Sequence, residues 1–278
     1  MTIVALLGLG EAGSEIARDL LAAGADVRAY DPAVPSPTAT VSCRNEAEAT
    51  VGADVVLSVN SAEAAAGALA AGLTGAGPMT VWADLNTAAP QLERELAATA
   101  ARAGVLFVDV SLMSPVPGRG LRTPMLVAGT GADRYREVLE PLGARIEVLD
   151  APAGEAAQRK LLRSVFFKGM AAAVTEALHG ARAVGLEQRM RELIAAELVG
   201  ADDHFARRLE RGSYQHAVRR AAEMATATEL LEQLGVPPRI SVASRDWLMD
   251  LIAEGNTGSP PAPRIADTDI PPPAGGTL

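Results

Sequence analysis

Residues 3–31 read IVALLGLGEAGSEIARDLLAAGADVRAYD. An apolar run, Ile3 to Leu7, meets the glycine triplet Gly8, Gly10 and Gly13, passes into an alanine-rich helix and, after a second short run, closes on Asp31. The order is strand, tight turn, helix, strand, acid. A strand this apolar suits the centre of a parallel sheet covered on both faces. The three glycines serve different purposes. Gly8 turns the chain sharply out of the strand, Gly10 leaves bare backbone for a pyrophosphate, and Gly13 lets the helix pack close on the sheet. The helix N-terminus presents unpaired N–H groups and the positive end of its dipole to an anion. Gly8, Leu9, Gly10, Glu11, Ala12 and Gly13 are therefore the expected phosphate cradle, and Asp31 is placed to accept hydrogen bonds from a ribose diol.

The rest of the chain sets the frame. A length of 278 residues suits two domains. Hydrophobic residues make up 49%, so burial is not limiting. The formal charge of −9 with no basic stripe argues against a nucleic-acid partner. The single cysteine, Cys43, has no disulfide partner and no metal-ligand companions, which makes it filler; no metal site is expected. No signal segment precedes the first strand and no apolar run approaches membrane-spanning length, so a cytoplasmic protein is expected.

After Asp31, PAVPSPTAT is a proline-rich loop without an arginine directly behind the acid. An arginine there is the usual grip on a 2'-phosphate, so the sequence favours NAD over NADP, although Arg28 and Arg44 lie near enough to reach such a phosphate. Strands follow at 53–60, 81–85 and 105–110, with helical stretches at 61–71 and from about Pro90 to Ala103. Each strand gives way to small polar residues at the end where open α/β sheets bind ligands. Asn60, Asn86 and Thr87 are candidates for the nicotinamide ribose and the substrate rim, with helix capping as the plain alternative. In DVSLMSPVPGRGLRTPMLVAG, residues 109–129, a strand enters a Ser/Pro/Gly loop and returns at 125–128 with no helix between, which predicts a change of strand direction. A short helix at 133–140 and a strand at 146–149 end this part.

From Gly154 the pattern is helical only. A long helix to about Val184 precedes helices near 187–199, 202–211, 214–234 and 239–254, with Gly212, Gly235 and the Pro237-Pro238 pair as breaks. The expected architecture is thus α/β, a Rossmann-type NAD(P)-binding domain (1–152) followed by an all-α domain (153–255), its long helix the spine of a second domain or of a dimer core, and a Pro/Gly-rich tail (256–278). On the long helix Ala157, Lys160, Ser164, Phe167 and Ala171 share a face. Lys160 is either a solvated surface lysine or, with Arg159 and Arg163 beside it disfavouring its charged form, a proton-transfer group. Lys168 is its rival. His216, Arg220 and Glu223 fall at i, i+4 and i+7, either lining a cleft or forming an exposed charged stripe. His179 and His204 have no better claim.

GLGEAGSEIARDLLAAG resembles the opening of the β-hydroxyacid dehydrogenases, the family of 3-hydroxyisobutyrate and 6-phosphogluconate dehydrogenases, where GLGxMG is typical. The resemblance continues through DLNTAAP, DVSLMSP and GEAAQRKLLRS, in the family's order and at compatible spacing, and the helical segments LLRSVFFKGM and HAVRRAAEM resemble a branch whose C-terminal domain has no assigned function. It implies a nicotinamide-dependent oxidoreductase acting on a small hydroxy acid or its carbonyl counterpart, with Lys160 as general acid and base and Ser114 and Ser164 near the substrate. Arg119 or Arg122 would attract a carboxylate. Arg163 and Ser164 stand where the family has paired asparagines, and Ser114 stands one place beyond the family's serine. The MSP loop also resembles that of the imine reductases, a related branch that typically lacks the lysine. An imine reductase, and a non-catalytic nucleotide sensor or scaffold, remain the alternative readings.

Overall fold

A computed structural model describes residues 1–255 and 260. The chain forms two compact units, Met1–Val165 and a second from Phe166 onward. The tail at 256–278 lies, but for Pro260, outside the described residues.

The first unit is an eight-stranded sheet in the order β3-β2-β1-β4-β5-β6-β7-β8. Its strands are β1 (Ile3–Leu7), β2 (Asp26–Tyr30), β3 (Val41–Ser42), β4 (Val55–Ser58), β5 (Val81–Asp84), β6 (Leu106–Leu112), β7 (Pro124–Ala128) and β8 (Arg145–Val148). The helices between them are α1 (Glu11–Ala22), α2 (Glu46–Thr50), α3 (Ala62–Gly72), α4 (Pro90–Arg102) and α5 (Ala132–Leu139). All neighbouring strands run parallel except β6 and β7, which pair antiparallel with Val110 opposite Val127. That reversal is the change of direction expected between residues 109 and 129.

The alternation of buried side chains shows why both faces are covered. Val4, Leu6, Val55, Leu57, Val81, Ala83, Val108 and Val110 enter one apolar cluster. Their sequence neighbours Ala5, Leu7, Val56, Trp82 and Phe107 enter another. A period of two with both phases apolar is the signature of a strand buried on both sides. Strand order reverses between β1 and β4, and such a switch point opens a crevice at the carboxyl ends of the strands.

Two short elements, β3 and α2, fall outside the sequence expectation. Neither two strand residues nor five helical residues carry a readable period. Cys43 is a free thiol packed against the second apolar cluster.

Helix α6 (Glu155–Ala183) begins in the first unit, and its residues from Phe166 count with the second. The sequence pattern turns helical at Gly154, yet the unit boundary lies inside the helix. The reason is local: Asp109 Oδ2 accepts the N–H groups of Gly154 (2.9 Å) and Ala157 (3.0 Å), pinning the first turn of α6 to the middle of β6.

The second unit holds α7 (Glu187–Val199), α8 (Asp203–Gln215), α9 (Ala217–Gln233) and α10 (Arg239–Ala253). Ala217, Ala221 and Leu248 form the centre of the α9–α10 contact. Glu176 of α6 accepts hydrogen bonds from the N–H of Ile240 (2.7 Å) and from the N–H (2.8 Å) and hydroxyl (2.6 Å) of Ser241, capping α10 from another helix. Burial raises this carboxyl, but the donated hydrogen bonds outweigh it and hold Glu176 below the ordinary glutamate range.

Gly212 is a correction. The sequence expectation ends a helix at residue 211, whereas α8 continues through Gly212 and the break falls at His216. Arg220 crosses α8 at Gly212, where a Cβ would stand 2.6 Å from the guanidinium Nη2. His216 therefore joins two helices, and the single helical face drawn through His216, Arg220 and Glu223 does not begin at His216.

Candidate active site

The glycine turn is built as three separate steric demands. Gly8 has a φ of +103°, and a Cβ there would lie 2.4 Å from the Val59 carbonyl oxygen. A Cβ on Gly13 would lie 2.0 Å from the carbonyl oxygen of Gly8, so the helix packs directly on the turn. At Gly10, by contrast, a Cβ would meet nothing within 4 Å. Gly10 is the N-cap of α1 and no side chain caps that end. Open space above an uncapped helix N-terminus fits a dinucleotide pyrophosphate.

Asp31 closes this turn. Its Oδ2 accepts the N–H of Leu9 (2.7 Å), and its Oδ1 accepts those of Ala33 (2.8 Å) and Val34 (2.9 Å). Burial pushes the carboxyl up, but the three N–H donors prevail and hold it below the usual aspartate range. Asp31 is thus an anion at neutral pH at the end of β2. Arg28 donates to the Val51 carbonyl and Arg44 pairs with Glu48 at 2.9 Å, so both arginines near this end of the site are engaged elsewhere.

At the carboxyl ends of β4 and β5 the predicted polar residues meet one another. The Asn86 side-chain nitrogen donates to Asn60 Oδ1 (2.9 Å) and Asp84 Oδ2 (3.0 Å). The Ser58 hydroxyl also donates to Asp84 (3.3 Å), and the backbone N–H of Asn86 donates to Asp84 Oδ1 (2.9 Å). Neither asparagine caps a helix: Ser61 caps α3, and α4 starts without a side-chain cap. One turn into α6, the Lys160 ammonium donates to the Thr87 hydroxyl at 3.1 Å. The candidate lysine therefore stands at the carboxyl edge of the sheet, in the unit that carries the glycine turn.

Beneath it lies a group of acids that the sequence pattern leaves unassigned. Asp84 ends β5, Asp109 interrupts the apolar run of β6, and Glu93 lies on the face of α4 that buries Leu96 and Ala100. All three are essentially inaccessible to solvent. Burial raises Asp84 to about 6, partly offset by the Asn86 and Ser58 donors, and the nearby Asp109 adds to the rise. Burial also raises Asp109, opposed by the N–H groups at the start of α6 and by the Lys160 charge. Glu93 is the extreme case. Neither carboxyl oxygen has a hydrogen-bond partner among the described residues, and burial, with Asp84 and Asp109 close by, pushes it up to about 9. Glu93 keeps its proton at neutral pH. The sequence expectation surrounded Lys160 with Arg159 and Arg163; the fold adds Glu93 and Asp109, acids of the opposite sign.

Ser114 and Ser164 are not drawn into this network. The Ser114 hydroxyl is buried without a partner among the described residues, and Ser164 is half-buried on α6 one turn after Lys160. The loop that carries Ser114 is tied to α1: Gly118 donates its N–H to Glu15 (3.0 Å) and Leu121 donates to Asp19 (3.0 Å). Arg119 and Arg122 are exposed on that loop. Lys168, His179, His204 and His216 are exposed and belong to the second unit. A signal for two of the buried acids was present: Asp84 and Asp109 each follow three apolar residues.

Residues 3–149 match the family described as the NAD binding domain of 6-phosphogluconate dehydrogenase, and residues 181–251 match a domain of unknown function (DUF1932). A probable 3-hydroxyisobutyrate dehydrogenase of Mycobacterium tuberculosis is 32% identical over 199 residues, 67% of this chain and 66% of that protein's length. Among solved structures, a conserved hypothetical protein from Sinorhizobium meliloti 1021 is 28% identical with a TM-score of 0.60, covering 91% of this chain and 89% of that one. An imine reductase variant from Myxococcus stipitatus, in complex with NAD+, has a TM-score of 0.80 at 17% identity, covering 93% and 96%, a likeness of fold.

Proposed function

This chain belongs to the β-hydroxyacid dehydrogenase family, in the branch with a C-terminal helical domain of unknown function, and from that premise we propose that it moves hydride between a nicotinamide cofactor and a small hydroxy acid or its carbonyl counterpart. The observation that carries the proposal is the Lys160 ammonium at 3.1 Å from Thr87, at the carboxyl edge of the sheet that bears the glycine turn. When bound, the nicotinamide supplies the hydride acceptor or donor. In the oxidative direction Lys160 Nζ, as the neutral amine, would take the proton of the substrate hydroxyl and become the ammonium as the carbon-bound hydrogen leaves with its electron pair. In the reductive direction the ammonium returns that proton to the carbonyl oxygen. Gly8, Leu9, Gly10, Glu11, Ala12 and Gly13 would hold the pyrophosphate, and Asp31, Asn60 and Asn86 the ribose edges. Ser114 and Ser164 would contact the substrate.

NAD is the preferred cofactor in this reading. An anionic Asp31 repels a 2'-phosphate, and Arg28 and Arg44 are occupied by Val51 and Glu48. A homodimer through the helical unit follows from its uncovered apolar side chains, among them Phe166 at 59% and Val199 at 90% exposure. No helix among the described residues is long and apolar enough to cross a membrane.

The test is reduced-nicotinamide absorbance with NADH and NADPH across hydroxy acids, their carbonyl forms and cyclic imines. Imines belong in the panel because Arg163 and Ser164 replace the family's paired asparagines. Lys160→Met should leave cofactor affinity nearly intact and lower kcat/KM by about 10²- to 10⁴-fold. Turnover retained within tenfold would remove Lys160 from the chemistry. Turnover of imines alone would select imine reduction, and tight cofactor binding with no turnover would select a sensor.

A further inference from the structure

The helical unit contains a cationic cavity in a chain whose net charge is −9. It has a volume of about 280 Å³, and His204, Arg207, Arg208, Arg211, His216 and Arg220 line it together with Gly212 and Gln215; no acid among the described residues does. His204, Arg208, Arg211 and Gln215 succeed one another at spacings of four, three and four along α8, so one face of that helix presents them together.

The cations are poorly neutralised from within. Arg207 pairs with Asp203 one turn earlier, an exposed surface pair of little strength. Arg208 lies over the Phe205 ring at 5.1 Å from its centre. Arg211 has no hydrogen-bond or ion-pair partner among the described residues. Arg220, half-buried, donates to the Ser213 hydroxyl at 3.1 Å, a neutral partner.

The backbone is shaped for this arrangement. A glycine in a helix interior costs about 1 kcal/mol relative to alanine. Gly212 is buried within α8, and a Cβ there would stand 2.6 Å from Arg220 Nη2 and 3.2 Å from Cζ. The missing side chain lets the guanidinium lie across the helix beside Arg211. With the exposed Asp203 paired to Arg207 and no carboxylate paired to Arg208, Arg211 or Arg220 among the described residues, the guanidinium groups are under-compensated, and an anion would complete the site.

We propose that this cavity binds a small oxyanion of two or more negative charges, a phosphate ester or a polycarboxylate, with Arg220 and Arg211 as the principal donors. Guanidinium forks match both oxyanions in bidentate fashion. A cavity of this size suits a small metabolite. The proposal rests on the helical unit's own geometry and is independent of the dehydrogenase reading.

The experiment is calorimetric titration of the full chain with pyrophosphate and, separately, with citrate, at an ionic strength fixed with potassium chloride. One saturable site per chain is expected for at least one probe, and the preferred probe identifies the phosphate or the carboxylate class. Arg211→Gln and Arg220→Gln should each weaken the dissociation constant by about tenfold or more, the loss of a charge-assisted hydrogen bond. Gly212→Ala should weaken it by displacing Arg220. Arg102→Gln, an exposed arginine of the other unit, should leave it unchanged and so shows that loss of one positive charge elsewhere does not weaken binding. Arg211 is exposed, so its variant decides the matter even if Arg220→Gln does not fold. No saturable binding of either probe, or an unchanged constant in Arg211→Gln, or equal weakening in Arg102→Gln, overturns the proposal.

Discussion

Replacing Glu93 by glutamine keeps the shape of a fully buried side chain and removes its titration. In the native protein the carboxyl is held at about 9, against 4.5 for an ordinary glutamate. Between those values the folded chain carries a proton on Glu93 that the unfolded chain has released. The unfolded state thus binds fewer protons, and stability falls as pH rises, by about 1.4 kcal/mol per pH unit from this group. The loss begins near pH 4.5, is complete near pH 9, and amounts to roughly 2–3 kcal/mol between pH 6 and pH 8. Glu93→Gln should abolish that slope. The two tryptophans provide the assay: Trp82 is buried in the first unit and Trp247 is exposed in the second. In a Trp247→Phe background, urea unfolding followed by Trp82 fluorescence reports the first unit alone, which avoids treating two units as one transition. The stability difference between the two proteins should change by that roughly 2–3 kcal/mol between pH 6 and pH 8, in favour of the glutamine variant. Parallel pH dependence in both would show that Glu93 is ionised in the folded chain and that the burial argument is wrong.

The glycine turn yields a contrasting pair. Gly13→Ala drives a methyl group into the Gly8 carbonyl and should destabilise the first unit by about 1–3 kcal/mol. Gly10→Ala, at an ordinary φ of −62° and in open space, should leave urea midpoints nearly unchanged while weakening dinucleotide affinity, read by fluorescence titration with NADH. In the helical unit, Glu176→Ala removes the cap of α10 and should cost about 1–2 kcal/mol, followed through Trp247 on that helix; no change in its midpoint would mean the cap carries no stability.

The large elements were legible because their periods are long and clean. The first strand, Ile3–Leu7, and the helix Glu187–Val199 fall where the apolar pattern places them. The antiparallel return at β7 was legible from a loop of Ser, Pro and Gly with no room for a helix. Gly212 misled because a glycine inside a helix and a glycine at its end look alike until the guanidinium that crosses it is seen. Glu93 was hidden for a related reason. In PQLERELAAT two glutamates lie two residues apart; Glu95 is exposed and Glu93 is buried, and only the packing of α4 separates them. The asparagines at 60 and 86 were visible singly. The bond that Asn86 gives to Asn60, beside its bond to Asp84, depends on two strands that meet only in the sheet.

The loop of residues 113–123 is fastened to α1 by Glu15 and Asp19 rather than to the sheet alone. For anyone transplanting that loop between members of the family, it is not a detachable module. Gly120, at a φ of +52° and with no space for a Cβ beside the Asp19 carboxylate, fixes the landing point. Moving this loop onto an α1 without acids at positions 15 and 19 would leave the N–H groups of Gly118 and Leu121 without those acceptors. The interchangeable part is the loop with the outer face of α1, carried as one cassette.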